Sequence, residues 1–432
     1  MDTNGDETQT TEPPRRQLAA APKTVDQVLI ALLHGGPLSQ REIVARTGFS
    51  PATVANCVSE LISSGDVRQL PDRPARGPGR RESELAATVN GAQVVGISVL
   101  VDSAVNQDSG TLETRWWVEA VVTDRTATPA CHGLVSRDPL LYQGTRHVVR
   151  GGTPIDVSQV VTEISDVLEG FRAEATRQGR NIFGVGVELG GHIEPKSGKV
   201  VFAPHLGWRD EPLLERLSSL DATLRITVVN DVNAFAVWEA LNPDRPDNFA
   251  VVLVGDGIGG ALVVNRAVLT GSRGGAGEIG HIPLTSGGQT CICGRRGCVE
   301  TVASYRAIRL AARQAGWSPT NQHVNRVVEI AKTGDRTART AARRILAHAA
   351  RGLSIGLISL ANVVDAEEII VLSTALAASP HFRDALTKEV RAGVFPSFES
   401  MNVSVMATEH WHGPIGAAWT AILQNPRARS SA

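Results

Sequence analysis

The stretch "GEIGHIPLTSGGQTCICGRRGCVE", residues Gly277 to Glu300, places one histidine, two glutamates and three cysteines in a short segment. Such a set is compatible with a catalytic metal centre, a structural metal staple, or a small-molecule pocket held by a staple. The two other cysteines of the chain, Cys57 and Cys131, stand alone. This distribution is unlike a disulfide framework, and it predicts one metal cluster in a reducing cytoplasm.

The composition predicts a folded chain of two or three domains. The chain has 432 residues, of which 42% are apolar and 20% charged, enough for sizeable cores. The net charge is −1, so any contact with nucleic acid must come from a local basic patch. No apolar run approaches the roughly 18 residues that span a bilayer, so no membrane partner is expected. Residues 1–23 lack the apolar centre of a signal peptide and predict a disordered tail of a cytoplasmic protein.

Residues 24–70 predict three short helices followed by a strand, in the arrangement of a winged helix-turn-helix domain. Apolar residues recur at helical spacing in each helix. Ser39 and Ser50 are N-cap candidates, and Pro51 suits the first helical position. The third helix is expected to bury Val54, Cys57, Val58, Leu61 and Ile62.

The outer face of the third helix carries small residues, which allow a helix to enter a major groove where Asn and Thr can contact base edges. A generic three-helix cap with a solvated outer face is the alternative. The residues expected to contact DNA from these helices are Ser39, Ser50, Ala52, Thr53 and Asn56.

A basic linker over residues 71–90 strengthens the DNA-binding interpretation. An extended ribbon of Arg, Gly and Pro is thin enough for a minor groove, where the negative potential attracts arginine. A plain solvated linker is the alternative. The arginines expected to contact DNA are Arg68, just before the linker, and Arg76, Arg80 and Arg81.

Residues 91–425 have the texture of an α/β fold, with short Val, Ile and Leu runs alternating with helical patterns. The strand "LRITVVND" delivers Asn230 and Asp231 at its carboxyl end, where open α/β sheets gather their ligands. A second strand-led half begins near residue 225. The pattern therefore predicts two α/β lobes with a cleft between them.

The motifs "VGDGIGGALVVN", "AGEIGH", "CICGRRGCVE", "APHLGW" and "VVNDVNA" resemble those of the ROK family (repressor, open reading frame, kinase). They follow the family order from about Gly96 to Ala418, and the N-terminal domain resembles that of the repressor branch. The resemblance implies a two-lobed, actin-like or hexokinase-type domain behind a winged helix-turn-helix. It also implies a sugar in the cleft and a bound zinc.

The cysteine segment fits a structural zinc ion. Three thiolates and one imidazole nitrogen complete a closed tetrahedron, which leaves no position for an activated water and so disfavours zinc hydrolysis. Reduced cysteines without metal are the alternative. The expected ligands are His281, Cys291, Cys293 and Cys298.

The resemblance also implies a polyol site in the cleft. Asp231 matches the family aspartate that serves as general base in the kinases, which makes it a vestigial base candidate here. His205 stands where the family often has Asn, which affects the identity of the sugar. Each of these residues alone could be an ordinary capped or solvated polar group. The expected sugar-binding residues are His205, Asn230, Asp231, Glu278, His281 and Glu300.

Phosphoryl transfer needs a nucleotide site, and the kinase motifs for it are altered. Ser98 stands where the kinases have the Asp of Asp-x-Gly-Gly-Thr, and Leu100 and Val101 replace its glycines. Ser373-Thr374 replaces a late Gly-Gly turn, and Asp256 stands where Thr is usual. Branched side chains keep a phosphate away from the backbone, and a carboxylate repels it.

The sequence therefore predicts a sugar-responsive transcriptional regulator, a repressor of carbohydrate uptake or catabolism genes. Its expected partners are double-stranded operator DNA and a sugar or sugar phosphate. It is expected to act as a homodimer or homotetramer and to be nucleoid-associated when bound to DNA. The competing interpretations are an ATP-dependent sugar kinase with a regulatory head, and a constitutive DNA-binding protein with a vestigial sugar site.

Overall fold

The computed structural model describes the chain in segments. The expected tail over residues 1–23 and most of the expected linker, including Arg76, Arg80 and Arg81, lie outside the described residues. The described ranges are 24–35, 37–71, 83–88, 92–105, 112–124, 141–143, 147–150, 154–242, 244–318, 323–398, 400–408 and 412–424.

The N-terminal segment forms the three predicted helices and the predicted strand, and this strand pairs with a second one, Leu85–Ala87, that lies within the expected linker and completes an antiparallel wing. Ser39 forms a capping box with Glu42. Ser50 is the N-cap of the third helix, accepts a hydrogen bond from the Thr53 N–H, and is followed by Pro51 at the first helical position. The elements are α1 (Thr24–Gly35), α2 (Gln40–Thr47), α3 (Pro51–Ser63), β1 (Val67–Gln69) and β2 (Leu85–Ala87).

The expectation that Ile62 is buried is wrong, because 41% of this residue is exposed. The buried stripe of α3 consists of Val54, Cys57, Val58 and Leu61, which follow the spacing of one helix face. Ile62 lies beyond that stripe in the last turn of the helix. Its side chain therefore faces outward.

The first lobe is built on a mixed sheet in the order β11-β7-β3-β4-β5, with β6 also paired to β4. Helix α4 packs on one face, and the C-terminal helix α12 packs so closely on the other that a Cβ at Gly96 would overlap the Pro414 carbonyl. A small antiparallel sheet, β10-β9-β8, extends the lobe. The elements are β3 (Ala92–Val105), β4 (Leu112–Asp124), β5 (Leu141–Gln143), β6 (His147–Arg150), α4 (Val157–Arg177), β7 (Asn181–Leu189), β8 (His192–Ile193), β9 (Val200–Ala203), β10 (Trp208–Glu211), α5 (Leu213–Ser218), β11 (Arg225–Asn230) and α12 (His412–Gln424).

The second lobe has a sheet in the order β14-β13-β12-β15-β16 between helix α6 on one face and a helical layer around α10 on the other. The two lobes confirm the predicted α/β architecture. The elements are α6 (Asp231–Leu241), β12 (Phe249–Val254), β13 (Ile258–Val264), β14 (Ala267–Leu269), α7 (Glu300–Ala303), α8 (Tyr305–Gln314), α9 (Val324–Thr333), α10 (Arg336–Val364), β15 (Glu368–Leu372), α11 (Pro380–Gly393) and β16 (Asn402–Met406).

Helix α10 is long and apolar enough to cross a membrane by length and composition alone, which the sequence expectation had overlooked. Half of its most apolar window is buried inside the protein. Its Leu346, Leu353 and Leu357 belong to the core of the second lobe. The apolar character of α10 is therefore explained by packing within the lobe.

The winged-helix segment shares one apolar core with the first lobe and with α6. This core contains Leu29 of α1, Leu61 of α3, Trp238 of α6 and Trp419 of α12, all at most 2% exposed. Helix α6 in turn lies against α12, where a Cβ at Gly416 would overlap the Ala234 carbonyl. The winged-helix segment, called the head from here on, is therefore attached to the lobes through packed side chains.

Candidate functional site

A cleft of about 830 Å³ is lined by residues from both lobes. Its walls come from the β7–β8 and β9–β10 turns, the β11–α6 junction, the β12–β13 turn and the Gly277–Glu300 segment. The structure brings all of the expected sugar-binding residues to this cleft: His205, Asn230, Asp231, Glu278, His281 and Glu300.

Asn230 and Asp231 lie where strand β11 passes into helix α6. The Asn230 side chain caps α6 by accepting from the Asn233 N–H, and its amide donates to Gly191 O at 2.9 Å. Asp231 Oδ1 accepts from the Val232 N–H at 2.9 Å and from Asn230 Nδ2 at 2.8 Å. Burial raises the pKa of Asp231, against the opposing effect of the Val232 hydrogen bond. One carboxylate oxygen is thus fixed, and the other remains available to a ligand.

His205 and Glu300 approach each other across Gly257. A Cβ at Gly257 would lie 3.1 Å from Glu300 Oε2 and 3.4 Å from His205 Nε2. Glu300 Oε2 also accepts from the Ile258 N–H at 3.0 Å. His205 follows β9 in the first lobe, whereas Glu300 begins α7 in the second, so a ligand between them would contact both lobes.

The three cysteines and His281 converge beside the cleft, and their ligand atoms all lie within 4.8 Å of one another. His281 Nδ1 lies 3.5 Å from Cys291 Sγ, and Cys293 Sγ lies 3.8 Å from Cys298 Sγ. A tetrahedral zinc with ordinary bond lengths requires edges of about 3.5 Å for N···S and about 3.8 Å for S···S. Burial raises the pKa of the Cys291 and Cys298 thiols, so a bound cation would favour the thiolate form of these two cysteines. The residues fit a metal ion.

The His281 ring joins the cysteine cluster to the cleft. Its Nδ1 faces the thiols, and its Nε2 lies 3.8 Å from Glu278 Oε2. The backbone reaches this geometry through Gly277, whose φ of 88° favours glycine and whose missing side chain lets Gly260 come into contact. A metal ion bound to Nδ1 would fix the His281 ring with Nε2 directed toward the cleft.

The sequence pattern of the ROK family matches residues 147–423, which is more than half of the chain. The chain belongs to the ROK family.

Relatives of this ROK protein include both repressors and kinases. The chain is 24% identical over 392 residues to a protein named xylose repressor from Caldicellulosiruptor bescii, covering 88% of this chain and 90% of that protein. It is 32% identical over 227 residues to a glucokinase from Halalkalibacterium halodurans, covering 49% and 67% of the two chains.

Solved structures with this fold cover the same two classes. A ROK family transcriptional regulator described as a homologue of the E. coli MLC protein matches with a TM-score of 0.68 at 21% identity, over 93% of this chain and 95% of that one. A ROK hexokinase from Thermus thermophilus matches with a TM-score of 0.57 at 25% identity, over 77% and 98%.

The residues at which the sequence departs from the expected kinase motifs form internal contacts. Ser98 donates a hydrogen bond to Glu188, a residue only 3% exposed. Ser373 donates to Val254 O at 2.9 Å and lies 2.8 Å from the hydroxyl of Tyr305. Asp256 forms an ion pair with Arg309 at 2.8 Å.

Glu188 is a cleft residue that sequence reasoning missed. It pairs with Ser98 across β7 and β3, and Glu119 of β4 pairs with Ser98 from the other side. Burial, with the nearby Asp231, raises the pKa of Glu188 to about 8. The available signal was one acidic residue in the otherwise apolar strand "IFGVGVEL".

The described residues that are expected to contact DNA differ in how accessible their side chains are. Ala52, Asn56 and Arg68 are exposed. Ser50 is also exposed, but its hydroxyl is bonded to Thr53. Ser39 is 6% exposed and its side chain is held in the capping box, so it serves as a helix cap and is poorly placed for a DNA contact.

Proposed function

We propose that this ROK protein is a sugar-responsive DNA-binding repressor. Residues 24–70 form the DNA-binding domain, whose wing is completed by Leu85–Ala87 from within the basic linker of residues 71–90, and residues 91–425 form the sugar sensor. Full-length similarity to proteins named xylose repressor supports this assignment. The genes it controls are those of carbohydrate uptake or catabolism.

The observation that carries the proposal is the position of helix α6. The helix begins with Asp231 in the cleft and continues to Val237, Trp238 and Leu241, which share an apolar core with the winged-helix residues. Packed interiors switch between discrete arrangements and do not deform continuously. A ligand that moves the start of α6 therefore shifts the surface on which the head packs.

Sugar hydroxyls are bound between the lobes. Asn230 at the end of β11 and His205 contact the sugar from the first lobe, and Asp231 contacts it from the start of α6, at the junction between the lobes. Glu278, His281 and Glu300 contact it from the second. Closure of the cleft on the sugar rotates one lobe against the other and moves the heads out of register with their DNA half-sites.

The metal ion is zinc, and its role is structural. His281, Cys291, Cys293 and Cys298 would fill its tetrahedral shell and hold the loop that carries Glu278 and Glu300. Zinc supplies a rigid cross-link between residues far apart in the loop. His281 then has one nitrogen bound and the other oriented toward the sugar.

The head binds a major groove through α3, with Asn56 as the base-reading residue, and the arginines of the linker enter the adjacent minor groove. One such head reads too little DNA for strong specificity, so a homodimer or homotetramer on a two-fold operator is required. The protein acts in the cytoplasm, on the nucleoid.

The test is release of DNA by sugar. A labelled duplex from the promoter of the protein's own gene is titrated by fluorescence anisotropy, with and without millimolar free sugars. At least one sugar should weaken binding by fivefold or more. Trp238→Phe should reduce this release more than Trp317→Phe, a matched change in the second lobe. If no duplex is bound, or if no sugar changes its affinity, the proposal fails.

The second candidate function is an ATP-dependent sugar kinase with a regulatory head. Retention of Asp231 in the position of the family base, together with similarity to a glucokinase, favours it. The internal contacts of Ser98, Ser373 and Asp256 argue against it.

A further inference from the structure

The cleft is acidic. Among the described residues its lining includes a single arginine, Arg295, and no lysine, beside five carboxylic side chains. The carboxylic residues are Glu188, Asp231, Asp256, Glu278 and Glu300. A neutral polyol can donate hydrogen bonds to such a wall, whereas an anion is repelled by it.

One of these carboxylic residues, Asp256, lies at the β12–β13 turn. The residue lies next to Gly257, whose Cα is close to Glu300 and His205, so it borders the expected sugar position. Arg309 reaches the same point from helix α8 and lies 2.8 Å from Asp256 Oδ1. Both side chains are about one-third exposed, and Asp256 lines the cleft, whereas Arg309 is not among the described residues that line it.

Asp256 is thus the carboxylate partner of Arg309 at this turn. An arginine next to a glycine-rich turn is a favourable place for a phosphate, because guanidinium and backbone N–H groups both donate to it. With Asp256 present, the guanidinium already has a carboxylate partner. A phosphorylated ligand would have to displace that partner while facing the remaining carboxylates.

We propose that the ligand of this cleft is a sugar without a phosphate group, and that Asp256, by pairing with Arg309, is the residue that rejects phosphorylated sugars. The inference rests on the proposed sugar-sensing function and specifies its ligand class. It predicts two separable results. The wild-type protein should prefer free sugars, and loss of the Asp256 charge should convert Arg309 into an anion-binding group.

The first experiment is calorimetry on the full-length protein at pH 7.5 with matched probes: glucose, mannose and N-acetylglucosamine, each with its 6-phosphate. Every phosphate ester should bind at least tenfold more weakly than its parent sugar, or not detectably. Raising the salt concentration should narrow that gap, because charge repulsion is screened. A phosphate ester that binds more tightly than its parent would overturn the inference and leave the sugar-sensing proposal standing.

The second experiment needs no knowledge of the sugar. Inorganic phosphate is titrated by phosphorus NMR line broadening into wild type, Asp256→Asn, Asp256→Thr and the double variant Asp256→Asn with Arg309→Gln. Both single variants should bind phosphate at least fivefold more tightly than wild type, and the double variant should lose the gain. Equal phosphate binding by wild type and both folded single variants would refute the role of Asp256. Failure of the sugar-sensing proposal alone would leave this comparison unchanged.

Discussion

Asp231 and Trp238 lie two helical turns apart on α6, about 10 Å along the helix axis. Asp231 lines the cleft, whereas Trp238 is 2% exposed in the core that also contains the buried residues of the winged helix. A single rigid helix therefore connects the proposed sugar site with the proposed DNA-binding head.

We expect zinc to be structural and to be required for the sugar response. Cys293→Ala should lose the metal, measured by mass spectrometry of the purified protein, and should lose sugar binding with it, because His281 is no longer oriented. Cys57→Ala, a change of a buried cysteine in the head, should retain both. Full sugar binding by a demonstrably zinc-free protein would contradict this prediction.

We expect no sugar kinase activity. With Mg²⁺-ATP and common hexoses, a coupled assay for ADP should detect no turnover, because Ser98 and Asp256 bond to Glu188 and Arg309 and, by the family resemblance, replace phosphate-binding residues of the kinases. Turnover of roughly 1 s⁻¹ or more, typical of kinases, would overturn the assignment if Asp231→Asn abolished it.

DNA binding should depend on two separable surfaces. Asn56→Ala should relax sequence preference by about 1–3 kcal/mol, since a lost base contact affects the specific site alone. Arg80→Ala should weaken all sequences alike and flatten the salt dependence of binding. Arg180→Ala, an exposed arginine that follows helix α4, is the control. Unchanged operator affinity in both test variants, measured by gel-shift titration, would show that these surfaces are misassigned.

The buried carboxyl of Glu188 should make the protein lose stability as the pH rises from about 4.5 to about 8. Burial beside Asp231 raises the pKa of Glu188 to about 8, whereas an unfolded chain releases this proton near pH 4.5. Between these values the folded state binds more protons, so the free energy of unfolding falls as pH rises. Glu188→Gln removes the ionisable group and can still accept from Ser98.

Urea unfolding at pH 5.5 and pH 8 measures this effect. Glu188→Gln should exceed wild type in stability at pH 8 by on the order of 1–3 kcal/mol, and by less at pH 5.5. Glu169→Gln, an exposed glutamate of α4, should follow the wild type. Parallel pH dependence in wild type and Glu188→Gln would mean that Glu188 is not protonated in the folded state.

Much of the fold could be predicted because its signals are local. Ser50 and Pro51 mark the start of α3. The residues before Asp231 have the pattern of a strand, and those that follow it form a helix. Ile62 was misplaced because an apolar residue at the edge of a stripe can face either way. The membrane-length apolar pattern of α10 was overlooked because its arginines interrupt the run in the sequence.

The residues expected at the sugar site lie together in one cleft, whereas the electrostatics of that cleft were not predicted. The spacing of Cys291, Cys293 and Cys298 identified the cluster, because residues this close in sequence lie close together in space in any fold. The Glu188–Ser98 contact depends on the register of two strands far apart in sequence. The Asp256–Arg309 pair joins a turn to a distant helix, which no local pattern reveals.

The central claim is that bound sugar lowers the affinity of the protein for operator DNA, and that bound operator DNA lowers its affinity for sugar. Linkage requires the coupling to be reciprocal, so operator DNA must weaken sugar binding by the factor by which sugar weakens DNA binding. Glu278→Gln should remove the response while leaving operator binding without sugar intact, because Glu278 lies in the cleft and far from the head in sequence.

The most direct measurement is calorimetric titration of the releasing sugar into the full-length protein, alone and saturated with operator duplex. We predict that the operator weakens sugar binding by about 5–150-fold, the range of ordinary allosteric couplings. Equal sugar affinity in the two titrations would contradict the account.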